Sequence, residues 1–388
     1  MKYTWRWFGP NDRVSLENIR QAGATGIVTA LHHIPNGEVW SEEEILARKA
    51  IIEASGLSWD VVESIPVHED IKKQSGKFRQ YIENYKQSIR NVGKCGIKTI
   101  CYNFMPVVDW SRTDLNYQIT DGSYALKFEM KAFVAFDVFI LKRPGATEQY
   151  KPQQLQAAEA YFKTLTDDDI ALLTKTIIAG LPGAEETYTL EAFQLVLDQY
   201  SEIDNMQLKA NLFHFLIEVI PVAEEAGVKM AIHPDDPPFS LFGLPRIVST
   251  LGDVRDLLDA IDSPSNGLTF CTGSFGAGSF NNLTEMAQEL APKINFLHLR
   301  NVSCDEDGNF CEEYFFEGAA DMFEIVKEAV IEEQKSGREI PMRPDHGNQM
   351  FDDIGKKNNP GYSFYGRMKG MAEIRGLEIG IKRRLELN

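Results

Sequence analysis

A (β/α)8 barrel is the fold the sequence predicts, and three observations point to it. Eight short apolar, β-branched runs recur along the chain, amphipathic helical stretches separate them, and 388 residues suit a single large barrel domain spanning 1–388.

The runs are, in order, TWRWF at 4–8, GIVTAL at 26–31, SWDVVES at 58–64, KTICYNF at 98–104, VKMAIHP at 228–234, LTFCTG at 268–273, INFLHLR at 294–300 and EIPMRPD at 339–345. Strands alternating with helical crossovers make a parallel sheet, and eight of them close it. The helix at 41–56 opens with Ser41 and Glu44 in capping-box spacing and stops at Gly56. Helical periodicity also marks 78–93, 207–226, 281–291 and 319–335. The tail at 367–386 carries apolar residues at helical spacing and completes the eighth unit outside the barrel.

One interval breaks the rhythm. Between Asp109 and Leu208 the chain is far longer than a strand-to-helix connection needs, and it contains the helix-forming run 153–180. We read 115–205 as a helical insertion after the fourth strand, leaving from the face where active-site loops gather and suited to a lid or a dimer contact.

Hydrophobic residues make up 43% of the chain and charged residues 25%, enough to bury a sizeable core and too ordered a mixture for disorder. A net charge of −17 argues against a nucleic-acid footprint while leaving a small polar substrate open. No apolar stretch is long enough to span a bilayer, and the N-terminal residues lack an apolar signal core, so a cytoplasmic protein with no membrane partner is expected. Five scattered cysteines (Cys95, Cys101, Cys271, Cys304, Cys311) form no disulfide framework and are expected as thiols.

Four successive runs end in side chains that can bind a metal: His233 on the fifth, Cys271 on the sixth, His298 on the seventh and Asp345 on the eighth. Any one alone reads more readily as a core histidine or a small buried hydrophobe. Together, at strand ends that converge on one mouth, they read as a metal site. Two imidazoles, a thiolate and a carboxylate suit Zn, Fe(II), Mn or Co by donor type, and the need for open coordination positions favours Mn(II) or Fe(II).

Substrate-side candidates lie beside them. Arg300 and Arg343 offer planar guanidiniums for a carboxylate. Asp235 and Asp236 follow His233, and His346 follows Asp345. We take Asp235 for the site, whereas Asp236 reads equally well as a solvated loop residue. Of the pair His32 and His33 ending the second run, His33 is taken for the site and His32 for a packed residue; Asn103 ends the fourth run.

The strings WRWFGPNDRVSL, TALHHIPNGEVWS, CYNFMPVVDWSRTDL, MAIHPDDPP, GLPRIVST, MRPDHG and NPGYS together closely resemble the mannonate dehydratase family, nearly end to end. That family is similar in fold to the xylose-isomerase-like barrels. The resemblance implies dehydration of D-mannonate, a sugar acid, to 2-dehydro-3-deoxy-D-gluconate in hexuronate breakdown, with Mn(II) or Fe(II) on the same four residues. It adds His346 and Tyr362 as acid/base residues and Arg343 as a substrate contact. A homodimer is expected.

Chemistry constrains the roles. The C2 proton beside a carboxylate is very weakly acidic and hydroxide is a poor leaving group, so the site must neutralise developing charge and protonate the departing oxygen. His346 and Tyr362 share the base and acid roles in either order: histidine suits proton abstraction near neutral pH, which favours His346 as base, whereas a tyrosine base requires a pKa lowered by cations such as the metal or Arg343. A metal-dependent sugar isomerase or epimerase is the alternative on the same barrel, although the carboxylate-rich set that holds a metal pair is missing. A catalytically silent metal- or sugar-binding protein is the alternative outside enzymes.

Overall fold

The computed structural model describes residues 1–178 and 189–387. Among them the strands are, in chain order, β1 (Lys2–Arg6), β2 (Gly26–Thr29), β3 (Ser58–Glu63), β4 (Thr99–Tyr102), β5 (Asp114–Gln118), β6 (Tyr124–Phe128), β7 (Lys229–Ile232), β8 (Asn266–Cys271), β9 (Ile294–Leu299), β10 (Asn301–Cys304), β11 (Phe310–Glu313) and β12 (Pro341–Pro344). Eight of these close into a parallel barrel in the order β1-β12-β9-β8-β7-β4-β3-β2, one for each predicted run.

The register between strands sets which side chains share a level in the barrel. His298 on β9 is the pairing partner of both Cys271 on β8 and Arg343 on β12, so these three side chains stand in one row across three adjacent strands. Below that row Val28, Val61, Cys101, Ala231 and Phe296, drawn from five strands, form a separate buried plug that fills the barrel. Phe296 lies two residues before His298, hence on the same side of β9, and its ring meets the His298 ring edge-on at 4.5 Å. The site therefore rests on a solid apolar floor.

The helical ring forms where periodicity placed it, with helices Glu42–Ala54, Phe78–Lys94, Asn205–Glu225, Leu283–Leu290, Met322–Ser336 and Phe364–Arg384. Ser41 caps the first of these by accepting the Glu44 N–H at 3.2 Å. The reciprocal arm of the capping box is absent, because the Glu44 carboxylate instead meets His33 Nε2 at 2.8 Å. The last helix locks the barrel closed at its N-terminal face: Glu378 accepts from the Met1 ammonium and from Lys382, each at 2.8 Å. No helix among the described residues is long and apolar enough to cross a membrane.

The long interval after β4 departs from its helical expectation. It opens with the β5–β6 hairpin, turning at Asp121 and Gly122, where a φ of +87° suits the glycine. Helices Met130–Ala135, Pro152–Phe162, Asp167–Ile178 and Leu190–Asp198 follow; the last two residues of the predicted run 153–180 lie outside the described residues. The hairpin was hidden because its sheet is completed from far along the chain. β6 pairs antiparallel with β11, which pairs with β10 in the connection after β9, and Phe128 stacks on Phe310 with ring planes 6° apart.

Candidate active site

The C-terminal ends of the barrel strands open into a cavity of about 550 Å³, with Ile177, Ile178 and Phe193 of the insertion among its lining residues. At its floor the donor atoms of His233, Cys271 and His298 all lie within 4.8 Å of one another. His233 Nδ1 sits 2.7 Å from the Pro234 carbonyl, which can only accept, so Nδ1 carries the proton and Nε2 is free to bind. His298 Nε2 is buried and makes no well-formed hydrogen bond, standing 3.5 Å from Glu63 Oε2. Cys271 Sγ accepts from Ser274 Oγ at 3.0 Å and lies 3.5 Å from Asp345 Oδ2. An imidazole nitrogen without a well-formed hydrogen bond, a second free to bind and a thiol beside a carboxylate fit a divalent ion.

A second trio, Glu63, Cys101 and His298, is equally close in space. Its thiol tells against it, and Glu63 is already paired with Arg343 at 2.8 Å and Arg6 at 3.4 Å. Burial, reinforced by the Glu63 charge, pushes the Cys101 thiol well above its usual range.

Around the donors, arginines and carboxylates interlock. Arg343 reaches Glu63 through Nε and Nη2 and Asp345 Oδ1 through Nη1 at 2.5 Å. Arg300 contacts Asp236 through Nη2, Glu312 through Nη1 at 3.2 Å and Asp345 Oδ2 through Nε at 3.3 Å. Arg112, fully buried just before β5, joins Asp236 at 2.9 Å and Glu312 at 3.0 Å. Burial works to raise the acid pKa values of Asp345, Glu63, Asp236 and Glu312, but the neighbouring guanidiniums and imidazoles outweigh it and hold all four below the usual carboxylate range.

His346 and Tyr362 come together at the wall of the cavity, ring centroids 5.1 Å apart. His346 Nδ1 lies 2.7 Å from Glu312 Oε1. Burial pushes the Tyr362 phenol up to about 12, with the Arg343 charge opposing it, so the hydroxyl keeps its proton at neutral pH. Gly361 makes this approach feasible: its φ is +80°, and a Cβ there would stand 2.8 Å from the His346 ring.

Most predicted residues converge, and two do not. His233, Asn103, Arg300, Arg343, Asp345, His346 and Tyr362 line the cavity, while Cys271 and His298 are buried at its floor. His33 is corrected: its side chain is 52% exposed and pairs with Glu44 outside the cavity, whereas His32 lines it. Asp235 is corrected likewise. Its carboxylate accepts the Val248 N–H at 2.8 Å and the Ser249 hydroxyl at 2.7 Å, tying down the following loop, and it is Asp236 that faces the arginines. Arg300 and Arg343 stand in the site with their donors committed to protein carboxylates, so neither presents a free fork to a ligand. Asn103 contacts Asp109 at 3.2 Å, and burial raises that carboxyl's pKa.

Sequence reasoning missed Arg6, Glu63, Arg112 and Glu312. Glu63 ends β3, so the strand-end rule that selected the metal ligands could have found it. Glu312 had no such signal, because β11 belongs to the accessory sheet.

Comparison with known proteins shows the family. A family model described as D-mannonate dehydratase matches residues 1–387. A mannonate dehydratase from Marinomonas sp. (strain MWYL1) is 52% identical over 388 residues, covering 98% of this chain and 99% of the relative. One from Saccharophagus degradans is 53% identical over 384 residues, covering 97% of each. The crystal structure of mannonate dehydratase from Streptococcus suis serotype 2 superposes with a TM-score of 0.80 at 36% identity, covering 100% of this chain and 95% of that one.

Proposed function

This chain belongs to the D-mannonate dehydratase family and is a hydro-lyase that dehydrates D-mannonate, and from that premise we propose which of its residues carry the reaction. The carrying observation is the convergence of His233, Cys271 and His298 within 4.8 Å, beside Asp345 and next to the His346–Tyr362 pair. His233, Cys271, His298 and Asp345 would hold Mn(II) or Fe(II), which when bound supplies Lewis-acid charge for the substrate oxygens.

Charge balance supports a divalent ion. The guanidiniums of Arg6, Arg112, Arg300 and Arg343 are matched by the carboxylates of Glu63, Asp236, Glu312 and Asp345. A dication, the Cys271 thiolate and one substrate carboxylate add to zero, so the loaded site stays neutral without displacing any existing pair.

The proton steps fall to the wall residues. With Nδ1 turned to Glu312, His346 presents Nε2 as the base that takes the C2 proton. Tyr362, which retains its proton, delivers it to the departing C3 oxygen. Loss of water leaves an enol that becomes the 2-keto product, 2-dehydro-3-deoxy-D-gluconate. The apolar lid side chains Ile177, Ile178 and Phe193 limit water around that enol.

The same reading includes a place in hexuronate breakdown, a cytoplasmic location and a homodimer. Five free thiols support the reducing compartment. The exposed Leu172, Leu195 and Met206 in and after the insertion support a subunit contact.

The test is direct. Metal-free protein is incubated with D-mannonate alone and with Mn(II), Fe(II) or Zn(II), and 2-keto acid is followed. Product with Mn(II) or Fe(II) is expected; none under any condition overturns the assignment.

A further inference from the structure

We infer that Glu312, delivered by the accessory sheet rather than by the barrel, is the positioning residue for His346: it fixes the proton on Nδ1 and aims Nε2 at the substrate. The inference rests on the reading of His346 as base.

Three observations carry it. Glu312 Oε1 lies 2.7 Å from His346 Nδ1, and a carboxylate paired with Arg112 at 3.0 Å and Arg300 at 3.2 Å can only accept. Nδ1 must therefore be the protonated nitrogen. Arg300 Nη1 is also 2.8 Å from Nδ1, but a guanidinium only donates, so that contact cannot be a hydrogen bond while Nδ1 carries a proton. Of the two contacts, the carboxylate's matches a charge-assisted bond. The competing tautomer would leave the ionised Glu312 without its imidazole donor and bring a bare Nδ1 up against it.

The carboxylate itself is rigidly held. Arg112 at 3.0 Å and Arg300 at 3.2 Å grip the same Oε1, and Glu312 is only 4% exposed. Arg112 is in turn packed between Trp110 and Phe310, its guanidinium carbon 4.8 Å and 4.7 Å from the two ring centroids. On the other side, the His346 ring has no room to swing, with Gly361 beneath it and Tyr362 edge-on. An imidazole oriented by a buried carboxylate on the nitrogen away from the reacting atom is the arrangement that base catalysis by histidine requires. Here the carboxylate sits on β11, and its clamp Arg112 on the segment leading into β5, so both come from connections that leave the barrel.

Neutron diffraction from perdeuterated crystals of the metal-loaded enzyme reads the tautomer directly. A deuteron on Nδ1 aimed at Glu312 is expected; a deuteron on Nε2 with none on Nδ1 overturns the inference. Kinetics supply the second arm. Glu312→Gln keeps the side chain's shape and loses its charge, and kcat for D-mannonate is expected to fall at least about tenfold with KM within about twofold and metal content unchanged. An unaltered kcat in Glu312→Gln, with His346→Asn inactive, sinks the role of Glu312 alone; near-normal turnover in His346→Asn sinks the assignment of the base on which it rests.

Discussion

Arg343 on β12 and Glu63 on β3 meet through two contacts, Nε to Oε2 at 3.1 Å and Nη2 to Oε1 at 2.8 Å. The third guanidinium nitrogen reaches Asp345 Oδ1 at 2.5 Å. Glu63 thus steers the carboxylate of a proposed metal ligand through an arginine, and Asp345 is held from behind before any ion arrives.

A lysine cannot reproduce that fork, since it offers a point charge on a flexible stem. Arg343→Lys is therefore expected to lower kcat by about ten- to a hundredfold while leaving the unfolding midpoint close to the parent. Steady-state kinetics beside a thermal melt checks this, and unaltered turnover would show that the fork is dispensable.

Chelation should abolish turnover and soften the protein. Returning Mn(II) at about a hundred times its Kd should restore activity and add about 2.7 kcal/mol of stability, seen as a rise in melting temperature. Cys271→Ser should blunt both responses. If Mn(II) moves neither the melt nor the activity of the stripped parent protein, the four-ligand site is wrong.

Tyr362→Phe removes one oxygen from a buried ring and leaves the ring contacts with His346 and Phe8 in place. Metal content should be unchanged and turnover should drop by about a hundredfold or more. Near-normal rates would remove Tyr362 from the proton steps.

Glu378 gives an acid-stability prediction. Burial would raise its pKa, but Lys382, the Met1 ammonium and the Tyr3 hydroxyl together lower it below the usual glutamate value. A folded-state pKa that is depressed contributes stability above the unfolded value and loses it as pH falls through the folded one. Unfolding free energy should accordingly decline below the ordinary glutamate range. Glu378→Gln should flatten part of that decline and cost about 1–3 kcal/mol at neutral pH. Urea melts from neutral to acidic pH measure both.

Gly361→Ala tests the close approach under His346. The residue needs a φ of +80°, and its new Cβ would stand 2.8 Å from the imidazole. Backbone strain of about 1–3 kcal/mol is expected, together with a loss of turnover larger than that of metal affinity. Wild-type kinetics in this variant would mean that the ring position is not critical.

How far the sequence could be read depends on where each residue's partners lie. Strands of a barrel announce themselves locally, by apolar runs between helical repeats, and their ends share one mouth. His233, Cys271, His298 and Asp345 could therefore be grouped although Asp345 lies more than a hundred positions beyond His233. Choosing between neighbours was harder. His32 and His33, or Asp235 and Asp236, differ by one position in irregular backbone past a strand end, where alternation no longer says which side chain turns inward. The β5–β6 hairpin and Glu312 were illegible for another reason: the pairing of Phe128 with Phe310 joins segments remote in the chain, and neither carries a mark of the other.

The accessory sheet sets a rule for anyone exchanging loops among barrels of this kind. Arg112 and β6 travel in one connection, and Glu312 and β11 in another, yet they meet as one clamp and one sheet. A chimera that inherits either connection alone receives a hairpin with one edge unpaired and a buried charge short of one of its partners. The two must be transplanted, shortened or lost together, and the unit of inheritance here is the pair.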